Sequence, residues 1–225
     1  MQTFAAERRI KPPPCASIPE GHVNKTDRIH FEENLQHEIK KIECEHLAIT
    51  AVKRGLKLRF EKKLVAELDF QYLTKAHAFT LHGRVVGGPL HEAMSKIEAP
   101  YRSNLFCDAV LSFTTSGRQD KKPGFDIYGK VDVPRPEHAS ETCEAIRHAL
   151  ETHYIPWLVG CVLPSERTIS DVIASPTDYA YPAVFIHCAT TCNPSLLNDA
   201  LRQRLKFCKK IIKNKAFDFP LLGIS

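Results

Sequence analysis

The sequence predicts an α+β fold: a five-stranded, mainly antiparallel sheet covered by an amino-terminal helix and a carboxy-terminal helical half. Two observations carry this expectation. Apolar residues recur at helical spacing early in the chain, alternate with polar ones through the middle, and return to helical spacing after residue 136. The links between the first alternating runs, at residues 61–63 and 73–75, are short enough for hairpins.

Residues 1–25 hold Pro12, Pro13, Pro14, Pro19 and Gly21 with little apolar periodicity, and read as an irregular arm. Residues 26–225 read as one domain, helix plus sheet over 26–135 and helical over 136–225. Thr26 or Asp27 suits a helix cap. Phe31, Leu35, Ile39, Ile42 and Ile49 follow at helical spacing, which predicts a helix ending before Gly55. Three alternating runs come next: Leu56, Leu58 and Phe60; then Leu64, Ala66, Leu68, Phe70 and Tyr72, alternating with Val65, Glu67, Asp69 and Gln71 on the wet face; then Phe79, Leu81 and Val85. Gly87, Gly88 and Pro89 break the pattern before a short helix. Residues 105–113 and 125–133 alternate again and supply the fourth and fifth strands, separated by a polar loop at residues 116–124.

A proline corner at Pro134 and Pro136 opens a helix with Ala139, Cys143, Ile146 and Leu150 on one stripe. It leads into an apolar segment with the single tryptophan, Trp157, expected to anchor the carboxy-terminal helices to the sheet. Ser165 caps a short helix. Residues 183–189 read as helix or buried strand, with helix favoured because Asn193 and Pro194 open another helix nearby. That last helix is expected to carry Leu197, Leu201, Leu205, Cys208 and Ile212 on one stripe, followed by an apolar tail.

The 225 residues carry a net charge of +5, with 17 basic and 14 acidic side chains in residues 1–112 and 14 and 12 in residues 113–225. Neither half is a dedicated basic domain. No run is long and apolar enough for a membrane span, and the first ten residues lack the apolar core of a secretory signal, so a cytoplasmic protein is expected. The eight cysteines, Cys15 to Cys208, are then expected as reduced thiols.

Chemistry-bearing motifs are sparse. Residues 83–89 are the glycine-rich stretch, but they lack a P-loop ending and a dinucleotide fingerprint. His187, Cys188 and Cys192 cluster without the paired spacing of a zinc site. No catalytic residue, metal site or cofactor is assigned. Two surfaces stand out instead. Glu67, Asp69, His82, Arg84, Asp126, Tyr128, Lys130 and Asp132 fall on the wet side of predicted strands and are expected to form a polar sheet face that binds a protein partner. An enzyme of unknown reaction, using that face or a cysteine–histidine pair, is an alternative reading. Arg202, Arg204, Lys206, Lys209, Lys210, Lys213 and Lys215 put seven cations in fourteen residues, which offers a nucleic-acid surface as a further alternative.

The alternation before Asp126 and Tyr128, the helix ending near Pro156 and Trp157, the short helix at 165–174 and Pro182 ahead of the last helices carry a resemblance over residues 56–205. In these the chain resembles uncharacterised bacterial α+β domains, some of which look like immunity proteins encoded beside secreted toxins. The resemblance implies a non-enzymatic, toxin-neutralising or adaptor role.

Overall fold

A computed structural model describes residues 25–116 and 123–224 of the chain. The expected amino-terminal arm, apart from Lys25, and most of the loop at 116–124 lie outside the described residues. The architecture is an open antiparallel sheet with helices packed on one face.

Helix α1, Lys25–Ile39, buries Phe31, Leu35 and Ile39 on one stripe. It is shorter than the spacing predicts. Lys41 N–H reaches the Glu38 carbonyl and Ile42 N–H the Ile39 carbonyl, a tight turn that stops the helix. The buried Glu38 carboxylate meets Lys41 and, at 2.9 Å, Arg147 of the neighbouring helix. The hydrogen bond from Lys41 is the first cause holding its carboxyl below the usual range, and Arg147 adds to it. Ile49, expected on the helix, lies in strand β1, Ala48–Val52. Its seven-residue spacing from Ile42 imitated a helical repeat, whereas the β-branched Ile49, Thr50 and Val52 favour a strand.

Strands β2 (Gly55–Phe60), β3 (Lys63–Leu73) and β4 (Ala78–Val85) follow as expected, each antiparallel to the one before. Glu61 (φ 48°) and Lys62 (φ 68°) close the β2–β3 hairpin, with the paired positive φ values of a turn that matches strand twist. The pairing register shifts between Leu58 and Arg59, so two residues of β3 oppose one of β2. Val65, expected on the wet face, sits at this bulge and is buried.

The fourth and fifth expected strands are largely corrected. Only Leu111–Thr114 pairs with β4, as β5. Residues 104–109 leave the sheet, the Asn104 side-chain amide donating to the Pro176 carbonyl (3.2 Å) and the Tyr179 carbonyl (2.9 Å), and the chain rejoins β4 where Val110 N–H meets the Val85 carbonyl at 2.8 Å. Of residues 125–133, only Val131–Asp132 is strand, as β6. It pairs with Ala78 and Phe79, on the same edge of β4 as β5. Asp126 is the reason. Its Oδ1 accepts from the amides of Tyr128 and Lys130, both at 2.8 Å, and Gly129 takes φ 72°. This local turn outcompetes extension. Phe125 is buried as expected, but Ile127 is exposed. Between β5 and β6, the buried Thr115 hydroxyl accepts from Leu81 N–H (3.0 Å) and donates to the Gly129 carbonyl (2.7 Å), bridging the gap.

Short α2, Pro89–Met94, packs against α6. Helix α3, Ala139–Ala149, runs into one wide turn at Leu150–Tyr154 and on into α4, Ile155–Gly160. Pro156 lacks the N–H that a regular turn would use, and the widened turn just upstream accommodates it. Trp157 is buried as expected, its ring stacked 4.5 Å from Phe113 and its Nε1 donating to the Tyr179 hydroxyl at 2.7 Å. Helix α5, Glu166–Ala174, starts at the expected Ser165 cap, where Thr168 N–H reaches Ser165 Oγ. Residues 183–189 are helical within α6, Pro182–Cys192, which is buried on nearly every side and touches α2, α5 and α8.

The expected last helix is shorter than its stripe: a turn at Pro194–Leu196 precedes α7 at Asp199–Lys206, Cys208 and Ile212 lie beyond the helix, and the apolar tail forms a helix of its own, α8 at Lys215–Leu222. Asn193, Asn198 and Asn214 each accept a backbone N–H at the start of a piece. Of the three, Asn198 falls inside the expected stripe and starts α7 one residue after Leu197. Among the described residues, no helix is long and apolar enough to cross a membrane.

Candidate functional site: the polar face of the sheet

Helices α1 and α4 lie on the side of the sheet that carries Phe70, Phe79 and Leu81, bringing Phe31 and Trp157 against it, and α3 packs beside α1. The other side presents polar side chains, and strand register sorts them into rows. In the first row, Lys57, Glu67, Arg84 and Ser112 stand side by side on β2, β3, β4 and β5. Arg84 Nε lies 2.8 Å and Nη2 2.5 Å from Glu67 Oε2, and Lys57 Nζ lies 3.9 Å from Glu67 Oε1. One carboxylate is thus shared by two cations.

In the second row, Gly55, Asp69, His82 and Thr114 are neighbours. His82 Nε2 lies 3.3 Å from the Thr80 hydroxyl and 3.4 Å from that of Thr114. Burial is the larger influence on the imidazole and pushes its pKa below the ordinary histidine value; the Asp69 charge opposes this. Neutral His82 therefore offers a hydrogen-bond donor and an acceptor rather than a positive charge. Asp69 is exposed, and on its β2 side stands Gly55 with no side chain. A Cβ on Gly55 would fall 2.0 Å from the Leu68 carbonyl oxygen, so the close strand approach requires glycine here. Gln71 and Thr80 are the next pair; Gln71 is exposed, whereas Thr80 is fully buried.

Lys57, Glu67, Asp69, Gln71, His82 and Arg84 line an open groove of about 530 Å³, together with Cys107. Beside Cys107, Phe106 projects fully into solvent. The loop bearing both is held at one end by Asn104 and near the other by Asp108, whose Oδ1 is 3.4 Å from His91 Nε2.

Of the residues expected on this face, Glu67, Asp69, His82 and Arg84 come together. Asp132 is exposed at the far end of the same face, opposite Ala78. Asp126, Tyr128 and Lys130 do not join them, because they belong to the turn that replaces the expected strand. Sequence reasoning passed over Lys57, Gln71, Thr80, Ser112, Thr114 and Cys107 as members of the site. Strand parity was the available signal for Lys57, Gln71, Thr80 and Ser112; Thr114 and Cys107 needed the register and the path of the 104–110 loop.

The cysteine–histidine alternative finds little to work with in the core. Burial is the main cause that raises the thiols of Cys143, to about 12, and Cys188, to about 11, and it raises Cys161 further. These stay protonated at neutral pH and are poor nucleophiles. His187, next to Cys188, places Nδ1 2.7 Å from the Leu221 carbonyl and so ties α6 to α8. The described residues contain no group of three or more His, Cys, Asp or Glu placed to hold a metal ion. Compared with protein-family models, curated proteins and solved structures, the chain matches none.

Proposed function

We propose that the chain is a protein-binding module whose partner seats on the polar face of the sheet. One observation carries the reading: helices cover a single face, while the other presents ordered polar rows beside a fully exposed Phe106. The chemistry of the rows supports it. The Lys57–Glu67–Arg84 row is compensated internally and offers directional hydrogen bonds. Asp69 and neutral His82 offer one negative charge and two hydrogen-bonding positions. This suits a partner that brings a basic side chain to Asp69 and an apolar one to Phe106. The resemblance to immunity-like domains supports a specific form of this role, in which the partner is a toxin that the chain neutralises.

The test is affinity capture from the host cell with the wild-type chain and with Asp69→Lys/Gln71→Lys. Both positions are exposed, and circular dichroism checks that the fold is kept. The reading expects one partner held by the wild type and weakened at least about tenfold in the variant, the effect of a like charge placed against a basic partner. Equal recovery with both baits, or a wild-type chain that remains a free monomer at native abundance, contradicts it.

A further inference from the structure

The net charge of +5 is local. From Asp199 to the carboxy terminus there are seven cations and two acids; the rest of the chain carries 24 of each. Comparing the two halves of the chain hides this, because the acidic residues of 113–198 offset it.

The two acids do little to neutralise the seven cations. Asp218 is fully buried, its Oδ1 accepting from the Tyr101 hydroxyl at 2.7 Å and its Oδ2 from the amides of Lys213 and Asn214, both at 2.8 Å. Asp199 occupies the first turn of α7, where the helix dipole favours a negative charge. Elsewhere cations meet carboxylates: Arg28 and Arg54 at Glu32, Lys41 and Arg147 at Glu38, Lys57 and Arg84 at Glu67. None of the seven forms an ion pair among the described residues. Lys213 Nζ donates to Asn104 Oδ1 at 2.7 Å, and Lys215 Nζ stands 5.7 Å from the Phe219 ring centre.

Arg202, Arg204, Lys206, Lys209 and Lys210 remain, and between Lys206 and Lys209 stands Phe207, 83% exposed. Its exposure is imposed by its neighbours. Leu205, Ile211 and Ile212 are buried, so the turn that ends α7 is pinned inward at both sides and carries Phe207 outward. Phe207 N–H bonds to the Arg204 carbonyl and Lys209 N–H to the Phe207 carbonyl, which fixes the turn.

We propose that this corner binds single-stranded nucleic acid, with phosphates on Lys206, Lys209 and Lys210 and an unstacked base on Phe207. Unpaired lysines attract a phosphate chain and release its counterions. An exposed ring among them supplies what a duplex cannot use, a flat apolar platform for a base whose face is free. An acidic protein satisfies the lysines equally well but gives the ring no such role, which is why the aromatic residue decides for a single strand. The inference stands apart from the sheet-face reading and uses none of its residues.

The experiment is fluorescence anisotropy of the whole chain with labelled oligo(dT), oligo(U) and a duplex, each of about 15 nucleotides, and with polyglutamate as a competitor. The single strands are expected to bind more tightly than the duplex, and the comparison of oligo(dT) with oligo(U) separates DNA from RNA. With three phosphates neutralised, log K against log salt should fall with a slope of about −2. Phe207→Ala should weaken binding about tenfold and Phe207→Trp restore it, because stacking on an aromatic platform is tolerant of the ring's identity. Lys209→Glu/Lys210→Glu should abolish measurable binding with the thermal midpoint unchanged. Equal affinity for duplex and single strand, full affinity in Phe207→Ala, a flat salt response, or polyglutamate competing as well as oligo(dT) overturns the proposal.

Discussion

On the sheet face, Lys57 and Arg84 flank Glu67 across three strands; at the carboxy-terminal corner, Lys206, Lys209 and Lys210 surround Phe207 with no carboxylate among them. Strand register sets the first arrangement, so each side chain has a fixed neighbour and most of the charge is compensated within the chain. The second sits on a short helix and the turn after it, and its charge remains uncompensated. The difference teaches what each surface can recognise. Compensated rows favour a partner with matching shape and hydrogen bonds, and they respond weakly to salt. An uncompensated cluster favours a polyanion and responds strongly.

The largest expected effect tests what supports the sheet face from behind. Trp157 stacks on Phe113, and a Cβ added at Gly83, under the groove, would lie 2.3 Å from the Phe113 ring. Trp157→Ala should cost about 3–5 kcal/mol in urea unfolding. A cost below about 1 kcal/mol would remove Trp157 from the support of this face. A smaller effect sharpens the contrast between bound and free cations. Glu67→Ala should cost about 0.2–1 kcal/mol, declining with added salt, as for an exposed ion pair. Lys210→Glu should stay within about 0.5 kcal/mol of the wild type, because no partner is lost. Comparable losses at both positions would mean that Lys210 is as firmly partnered as Glu67.

The smallest effect is a titration shift. His82 should titrate below the ordinary value of 6.5, because burial disfavours its charged form. In Asp69→Asn it should titrate lower still, since the Asp69 charge is what raises it; proton NMR of the ring reads both. The unfolded chain binds the proton more readily, so the stability that neutral His82 allows is present above 6.5 and is lost as pH falls toward the folded-state value. A value above 6.5 would mean that the Asp69 charge dominates burial.

The parts of the fold legible in the sequence are those where period and local chemistry agree. Strands β2, β3 and β4 alternate cleanly, and their parity alone brings Glu67, Asp69, His82 and Arg84 to one face. Ser165 and Pro182 start α5 and α6 where their capping and first-turn chemistry predicts. The misreadings occur where the two disagree. Apolar spacing carried α1 through Ile42 to Ile49, although β-branched residues cluster at the strand. Alternation ran across residues 125–133, although Asp126 and Gly129 are turn-forming residues. The last stripe began at Leu197, ahead of the Asn198 cap, and ran on through Cys208 and Ile212 beyond the end of α7. Thr114 could not be placed beside His82 from sequence, because that neighbourhood depends on which residues of β4 and β5 face each other.

The central claim is that the polar sheet face, and not the helical side, meets the partner. A photoreactive phenylalanine placed at Gln71, exposed on the face, or at Leu163, exposed on the helical side, reads it directly in the host cell. The account predicts one discrete protein adduct from position 71 and none from position 163. An adduct from 163 alone, or the same adduct from both, contradicts it.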